Sequence, residues 1–284
     1  MAEIKDTPSE PGCGWFVPRS PHGCYVKPLK TVADCLCGEH PWPKQPMVRI
    51  TDLPGHILAS PPRTGSTVVY QIINSLINPI QLIDGREAIS HDLTISRSHE
   101  LFTDSCPILR EIDNIFYCIR HPYDIIHSYS QFYKETNMSI KIIDNIFQDI
   151  KPLCALMTIQ NTPVLKQKLL ANRPDMKFTI IRYEDFWSDT LKLTKFLAYK
   201  LNPTKQWDEH HIHKITRLTD IRRNYQISRT INEYDESSYI HPNHINKRLG
   251  QPGAGSQIPE KFKQYIIEHY SEIFEVFEYQ HEYK

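Results

Sequence analysis

No run of apolar residues in the 284-residue chain approaches the eighteen or more that a membrane-spanning helix needs. The N-terminus also lacks the apolar core of a signal peptide, so a soluble, cytoplasmic protein with no membrane partner is the expectation. An excess of either charge is missing too: 33 lysines and arginines balance 33 aspartates and glutamates. Nucleic-acid-binding chains usually carry a strong basic excess, so no nucleic-acid partner is expected. Any polyanionic ligand must then be held by a local cluster of basic side chains. The seven cysteines are odd in number and suit reduced thiols better than a disulfide framework. Internal repeats and low-complexity tracts are absent. So is the nucleotide-phosphate signature G-x-x-x-x-G-K-[ST], together with a magnesium-binding aspartate at a strand end, which counts against an ATP-dependent kinase.

What is there divides the chain unevenly. Residues 1–50 hold eight of the 21 prolines and Cys13, Cys24, Cys35 and Cys37, close to His22 and His40. Cys-x-Cys is not the usual zinc-ligand spacing, and no metal site is expected. Trp15, Phe16, Tyr25 and Trp42 need burial against something, so this segment reads as an extension packed on the core. Residues 51–284 read as a single α/β domain.

The stretch around which that domain is arranged is 56–77, His-Ile-Leu-Ala-Ser-Pro-Pro-Arg-Thr-Gly-Ser-Thr and the apolar run after it. It predicts a short buried strand, a tight turn, and a helix with Val68, Val69, Ile72, Ile73 and Leu76 at helical spacing. A turn at a helix N-terminus offers backbone N–H groups and the positive end of the helix dipole to an anion such as phosphate. Gly65 permits close backbone approach, and Ser66 and Thr67 add hydroxyls.

Farther along, Asp84-Gly85 predicts a turn and Leu93–Ser96 a short strand. Ile115–Arg120 is a continuous apolar run, typical of a strand covered on both faces. Pro122 opens a helix to about Tyr133. Helix spacing recurs over 140–151 and 153–172, punctuated by Pro152, Pro163 and Pro174. Phe178–Tyr183 predicts another buried strand, followed by a helix capped near Ser188 or Asp189. Residues 202–258 are polar and yield no assignment. Phe262, Tyr265, Ile266, His269, Ile273, Phe274 and Phe277 mark a closing amphipathic helix. Strands alternating with helices imply a three-layer α/β fold: a mostly parallel central sheet flanked by helices, with ligands at the carboxyl ends of the strands.

Five separated pieces carry chemistry. The first is Pro62-Arg63-Thr64-Gly65-Ser66-Thr67. The second is Arg120-His-Pro-Tyr-Asp124-Ile-Ile-His-Ser128, which sets an arginine fork and a hydroxyl at a strand end, suited to a phosphate. Asp124 reads there as ordering the turn or, in the preferred reading, simply as helix N-terminal charge. The third is Arg182-Tyr183-Glu184-Asp185-Phe186, whose two carboxylates read as loop supports. The fourth is Lys247-Arg248-Leu249-Gly250-Gln251-Pro252-Gly253. The fifth is Arg97-Ser98-His99-Glu100, with His99 preceding Arg120 by 21 residues. Their order along the chain resembles that of the sulfotransferases that use 3′-phosphoadenosine 5′-phosphosulfate (PAPS), which leave 3′-phosphoadenosine 5′-phosphate (PAP).

That resemblance implies a P-loop-like PAPS-binding core. The turn Arg63, Thr64, Gly65, Ser66 and Thr67 would hold the 5′-phosphosulfate. Arg120 and Ser128 would hold the 3′-phosphate, Tyr183 would lie against the adenine, and Arg248, Leu249 and Gly250 would wrap the 3′-phosphate. His99 would be the general base, an imidazole near pKa 6.5 being suited to that role at neutral pH, with Glu100 in reserve. Three positions depart from the family. Arg63 stands where many members have lysine, and acts as a permanent forked cation but not as a proton donor. Leu249 replaces a lysine. Val68 stands where many cytosolic members stack a tryptophan on adenine, so stacking must come from elsewhere.

The implied reaction is transfer of a sulfuryl group to a hydroxyl or amine of a small-molecule acceptor, without a metal. Transfer of this kind passes through a loose, in-line transition state with charge building on the leaving phosphate oxygen. A non-catalytic nucleotide-binding protein on the same fold is the alternative, beside the kinase. The acceptor segments 79–98, 134–160 and 225–245 follow no decodable pattern. Asp84, Glu87, Asp92, Glu233, Asp235 and Glu236 within them read first as solvated surface; a cationic natural product would be the functional reading. Adjacent side chains in His210-His211-Ile212-His213 diverge and read as solvated.

Overall fold

The computed structural model describes residues 55–83, 86–88, 95–98, 112–135, 150–233 and 248–281, with residues 235, 238, 240, 242 and 245. The proposed extension 1–50 and the helix expected over 140–149 lie outside the described residues, as does the Asp84-Gly85 turn. In chain order the elements are β1 (Gly55–Ala59), α1 (Ser66–Ile77), β2 (Gln81–Ile83), β3 (Arg86–Ala88), β4 (Ile95–Ser98), β5 (Ile112–Ile119), α2 (Pro122–Glu135), α3 (Ile150–Asn172), β6 (Lys177–Arg182), α4 (Thr190–Leu201), α5 (Glu209–Thr219), α6 (Ile221–Thr230) and α7 (Glu260–Val276).

Strands β4, β1, β5 and β6 form one parallel sheet in that order, and β2 and β3 pair as a separate antiparallel ribbon. Successive strand residues point to opposite faces, and here both faces are covered, which is why β1 and β5 read as unbroken apolar runs. On one face Ile57, Ile115, Tyr117 and Ile119 pack with Ile125 and Ile126 of α2, Leu156 and Ile159 of α3, and Ile266 and Phe274 of α7. On the other, Leu58, Phe116 and Cys118 meet Ile72 and Ile73 of α1, Leu193 and Leu197 of α4, and Ile212 and Ile215 of α5. The three-layer α/β expectation holds. Because the strands are parallel, the segments leaving β1, β4, β5 and β6 emerge at one edge, the carboxyl edge of the sheet.

Several elements differ in detail from the sequence expectation. β4 is described over Ile95–Ser98, overlapping the strand expected over 93–96, whose first two residues lie outside the described residues. α3 runs through Pro163, as the helical spacing over 153–172 predicts, and starts at Ile150, ahead of Pro152. A proline inside a helix costs about 3 kcal/mol. Buried Ala155, Leu156, Ile159, Thr162 and Leu169 on the same helix offset it through tertiary packing. The unassigned stretch 202–258 contains α5 and α6. Asp208 accepts from the backbone N–H groups of His210 and His211, and Asp220 from those of Arg222 and Arg223, so each caps its helix. Asp189 caps α4 by accepting from Lys192 N. Among the described residues no helix is long and apolar enough to cross a membrane.

Candidate functional site

The turn between β1 and α1 is built tightly. Thr64 Oγ1 donates to Pro61 O at 2.7 Å, so this hydroxyl closes the turn. Ser60 Oγ accepts from Cys118 N at 2.9 Å and ties the turn to β5. Arg63 and Gly65 both take left-handed backbone conformations, with φ of 70° and 85°. Left-handed φ suits glycine but strains arginine, so the surroundings must hold it. Gly65 also serves contact: a Cβ there would collide with the Tyr183 ring. It is the N-cap of α1 and, lacking a side chain, makes no side-chain cap bond to that helix.

Arg120 follows β5 directly and is only 5% exposed. Its Nη1 donates to Arg63 O at 3.3 Å and its Nη2 to Gly250 O at 2.7 Å, while its guanidinium lies 4.3 Å over the Tyr183 ring. Asp124 Oδ2 is 3.8 Å from its Nε, and that buried Nε has no hydrogen-bond partner among the described residues. Ser128, buried two turns into α2, accepts from Arg63 Nε at 3.0 Å through Oγ. Tyr183 opens a single 3-10 turn after β6 and donates its hydroxyl to Gly250 O at 3.0 Å. Burial raises its pKa, so the phenol stays protonated as that donor.

The 248–255 loop closes the arrangement. Leu249, Gly250 and Gly253 have φ of 52°, 72° and 88°. Trp187 Nε1 donates to Leu249 O at 2.9 Å. Arg248 is exposed and faces Gln257, whose amide oxygen, turned toward it, accepts from Nη1 at 2.9 Å and Nη2 at 3.0 Å. Asp124 does not act as free helix N-terminal charge: its oxygens accept from Gly255 N at 2.7 Å and Gly253 N at 3.0 Å. Asp124 does stand in the first turn of α2, as expected, but its carboxylate is engaged by the loop as well. Glu184 accepts from His121 N at 2.8 Å and from the Tyr279 hydroxyl at 3.1 Å, a loop support as expected. Burial raises the Glu184 pKa and lowers that of His121.

Of the residues singled out in the sequence, the structure brings together Arg63, Gly65, Arg120, Ser128, Tyr183 and Gly250. Ser66 and Thr67 start α1 and are buried beside them. His99 and Glu100 lie outside the described residues. Ser98, immediately before them, pairs with Ala59, the last residue of β1, at the edge where the turn begins. Glu87 pairs with Lys214 at 2.8 Å and Arg217 at 2.7 Å, and Asp235 accepts from Ser238 Oγ, so both already have partners.

Two concavities flank the turn at Tyr183. One, about 40 Å³, lies beside Gly65 and is lined by Val68, Tyr183, Trp187, Thr190 and Ile221 among others. The larger, about 330 Å³, lies beyond the edge strand β6 among Ile180, Arg182, Phe186, Phe196 and Phe277. None of the converging arginine, serine or glycine groups lines the larger one, so size does not choose the site; convergent donors do. Sequence reasoning missed Trp187 and Ile221, whose only local signal was an aromatic and an aliphatic side chain in polar surroundings.

Retinol dehydratase, in a crystal structure with androsterone and inactive cofactor PAP, is similar at a TM-score of 0.51 and 15% identity, over 78% of this chain and 81% of that one. A mouse sulfotransferase, SULT7A1, complexed with PAP, is similar over 78% and 84% at 13% identity. Its TM-score of 0.44 is too low to support a shared fold by itself. No protein-family model and no curated protein sequence matches the chain. The chain has the sulfotransferase fold.

Proposed function

We propose that this chain is a PAPS-dependent sulfotransferase acting on a hydroxyl or amine of a small-molecule acceptor in the cytoplasm. The observation that carries the reading is Arg120. A guanidinium 5% exposed sits against the α1 turn, its Nε 3.8 Å from Asp124 but without a hydrogen bond among the described residues. Asp124 balances the buried charge, and the hydrogen-bonding capacity left on the guanidinium supports a phosphate beside it. The N-terminus of α1 calls for a second. Two anions at these places fit a nucleotide with phosphates at both ends of its ribose better than a linear triphosphate.

The residues that would hold PAPS are the Gly65–Thr67 backbone and Arg63 at the 5′ end, and Arg120, Ser128 and the 248–250 loop at the 3′ end. Trp187, Tyr183, Val68 and Ile221 would receive the base, in place of the tryptophan missing at 68. The small cavity they line would have to widen, and the contact of Tyr183 with Gly65 is where it would part. PAPS supplies a sulfuryl group on a phosphate leaving group. His99 takes the proton from the acceptor hydroxyl or amine as its oxygen or nitrogen bonds to sulfur and the sulfur–oxygen bond to the 5′-phosphate breaks. Arg63 and the N–H groups of the turn stabilise the charge that develops on the departing oxygen. Arg63 now donates to Ser128, so it must turn from that hydroxyl toward the 5′ end to do so.

The test is transfer of labelled sulfate from PAPS into a panel of hydroxyl- and amine-bearing metabolites without magnesium. Transfer by the wild-type chain that is lost in Arg63→Ala and His99→Ala supports the reading. Binding of PAP with no transfer to any acceptor would favour a non-catalytic nucleotide-binding protein. Transfer from ATP that requires Mg²⁺ would favour a kinase.

A further inference from the structure

Asp124 is fully buried in the first turn of α2, yet its carboxylate is directed across the fold. Its two oxygens accept from backbone amides 129 and 131 residues away, those of Gly253 and Gly255. Gly255 lies flush on α2: a Cβ there would collide with the backbone of Tyr123 and Asp124. Van der Waals contact and two charge-assisted hydrogen bonds thus fasten this end of the loop. The other end offers the Gly250 carbonyl to Arg120 Nη2 and to the Tyr183 hydroxyl. Over Leu249–Gly253 the backbone takes three left-handed conformations, one at Leu249, where a side chain makes that costly. Such a loop keeps its shape only when both ends are held.

We propose that Asp124 is a positioning residue: by fixing Gly253 and Gly255 it sets the loop that orients Arg120, and so selects nucleotides with a phosphate on the ribose 3′ oxygen. This rests on the sulfotransferase reading above. Asp124 does not itself touch the nucleotide, since both oxygens already accept and a carboxylate repels phosphate. Its second contribution is electrostatic. At 3.8 Å from Arg120 Nε it makes the buried cation tolerable without taking its hydrogen bond. The guanidinium is held by two carbonyls through Nη1 and Nη2, so its orientation follows the loop that Asp124 fastens.

Calorimetry with PAP and with adenosine 5′-monophosphate as probes separates the roles. Asp124→Asn keeps the shape but turns one acceptor into a donor facing a backbone N–H. Gly255→Ala keeps the charge but pushes the loop off α2. Each variant is expected to lose about tenfold or more in PAP affinity, while monophosphate affinity stays within about threefold. The proposal is overturned if either variant keeps the wild-type preference, or if both nucleotides weaken in equal proportion, as general loosening would cause. Should neither variant fold, amide exchange in the wild-type chain decides. Slow exchange at Gly253 and Gly255, slowed further by PAP but not by the monophosphate, supports the proposal; fast exchange, or no response to PAP, overturns it. A wild-type chain that binds both probes equally would instead overturn the sulfotransferase reading itself.

Discussion

The same two strands, β1 and β5, carry buried polar groups at both ends, and the ends are treated differently. At the amino end, His56 and Asn114 are paired in register and joined at 3.1 Å through His56 Nδ1 and the Asn114 amide. Burial lowers the His56 pKa to about 4, with the Lys177 charge adding to the effect, so the pair is neutral near pH 7. At the carboxyl end stand Arg63, Arg120 and Asp124, groups that carry charge. The cation there has an Nε with no hydrogen-bond partner among the described residues. A buried neutral pair holds strands together. A buried charge with hydrogen-bonding capacity left over marks where a ligand belongs.

That contrast can be broken from either end, and the largest effects are expected at the carboxyl edge. His99→Ala should lower kcat by about 10²–10⁴ while PAP affinity, measured by calorimetry, stays within about threefold. Unchanged turnover would remove the residue from its role. Arg120→Ala should weaken PAP binding by about a hundredfold, since a charge-assisted clamp is removed. At the amino end, His56→Leu strands the Asn114 amide and should cost about 1–3 kcal/mol of stability in denaturant unfolding. Nucleotide affinity should move less than about twofold. If His56→Leu weakened PAP binding as Arg120→Ala does, the division between the two ends would fail.

The pH dependence sharpens the same comparison. His56 binds a proton in the unfolded chain near pH 6.5 but in the folded chain only near pH 4. The stability tied to its neutral form is therefore whole above about pH 6.5 and is lost as pH falls from there to about 4, by up to about 3 kcal/mol. His121, lowered mainly by burial, acts in the same direction. Glu184, raised mainly by burial, acts oppositely, its cost appearing as pH rises above the ordinary carboxylate range. Unfolding curves between pH 4 and 8 should show the acid loss shrink in His56→Leu. The smallest effect is expected from Trp187→Phe, which keeps the ring but drops the bond to Leu249 O. A single neutral hydrogen bond predicts about fivefold weaker PAP binding.

How much of this could be read from the chain follows from what each residue answers to. The strands β1 and β5 and the helix α1 were legible because two-sided burial and helical spacing are written locally; β6 was placed correctly as a strand, but at the sheet edge only Ile181 of it is buried. Arg63, Gly65, Arg120 and Ser128 were legible as motif residues. Asp208 and Asp220 carried a readable cap signal that the polar surroundings of α5 and α6 obscured. The helix over 153–172 was legible despite Pro163, because its apolar spacing records packing that outweighs a local penalty. Asp124, Trp187 and Ile221 were illegible for a different reason: their partners lie on the 248–255 loop or around the Gly65 turn, and nothing near them in sequence records it.

The central claim is that Arg120, Ser128 and the Gly65 turn form one cradle with two anion positions. A crystal structure with PAP tests it most directly. The account predicts the 5′-phosphate on the N–H groups of Gly65–Thr67, the 3′-phosphate within hydrogen-bonding distance of Arg120 and Ser128, and the base between Val68 and Trp187. PAP bound instead in the larger groove beyond β6, or with its 3′-phosphate in solvent, would contradict it.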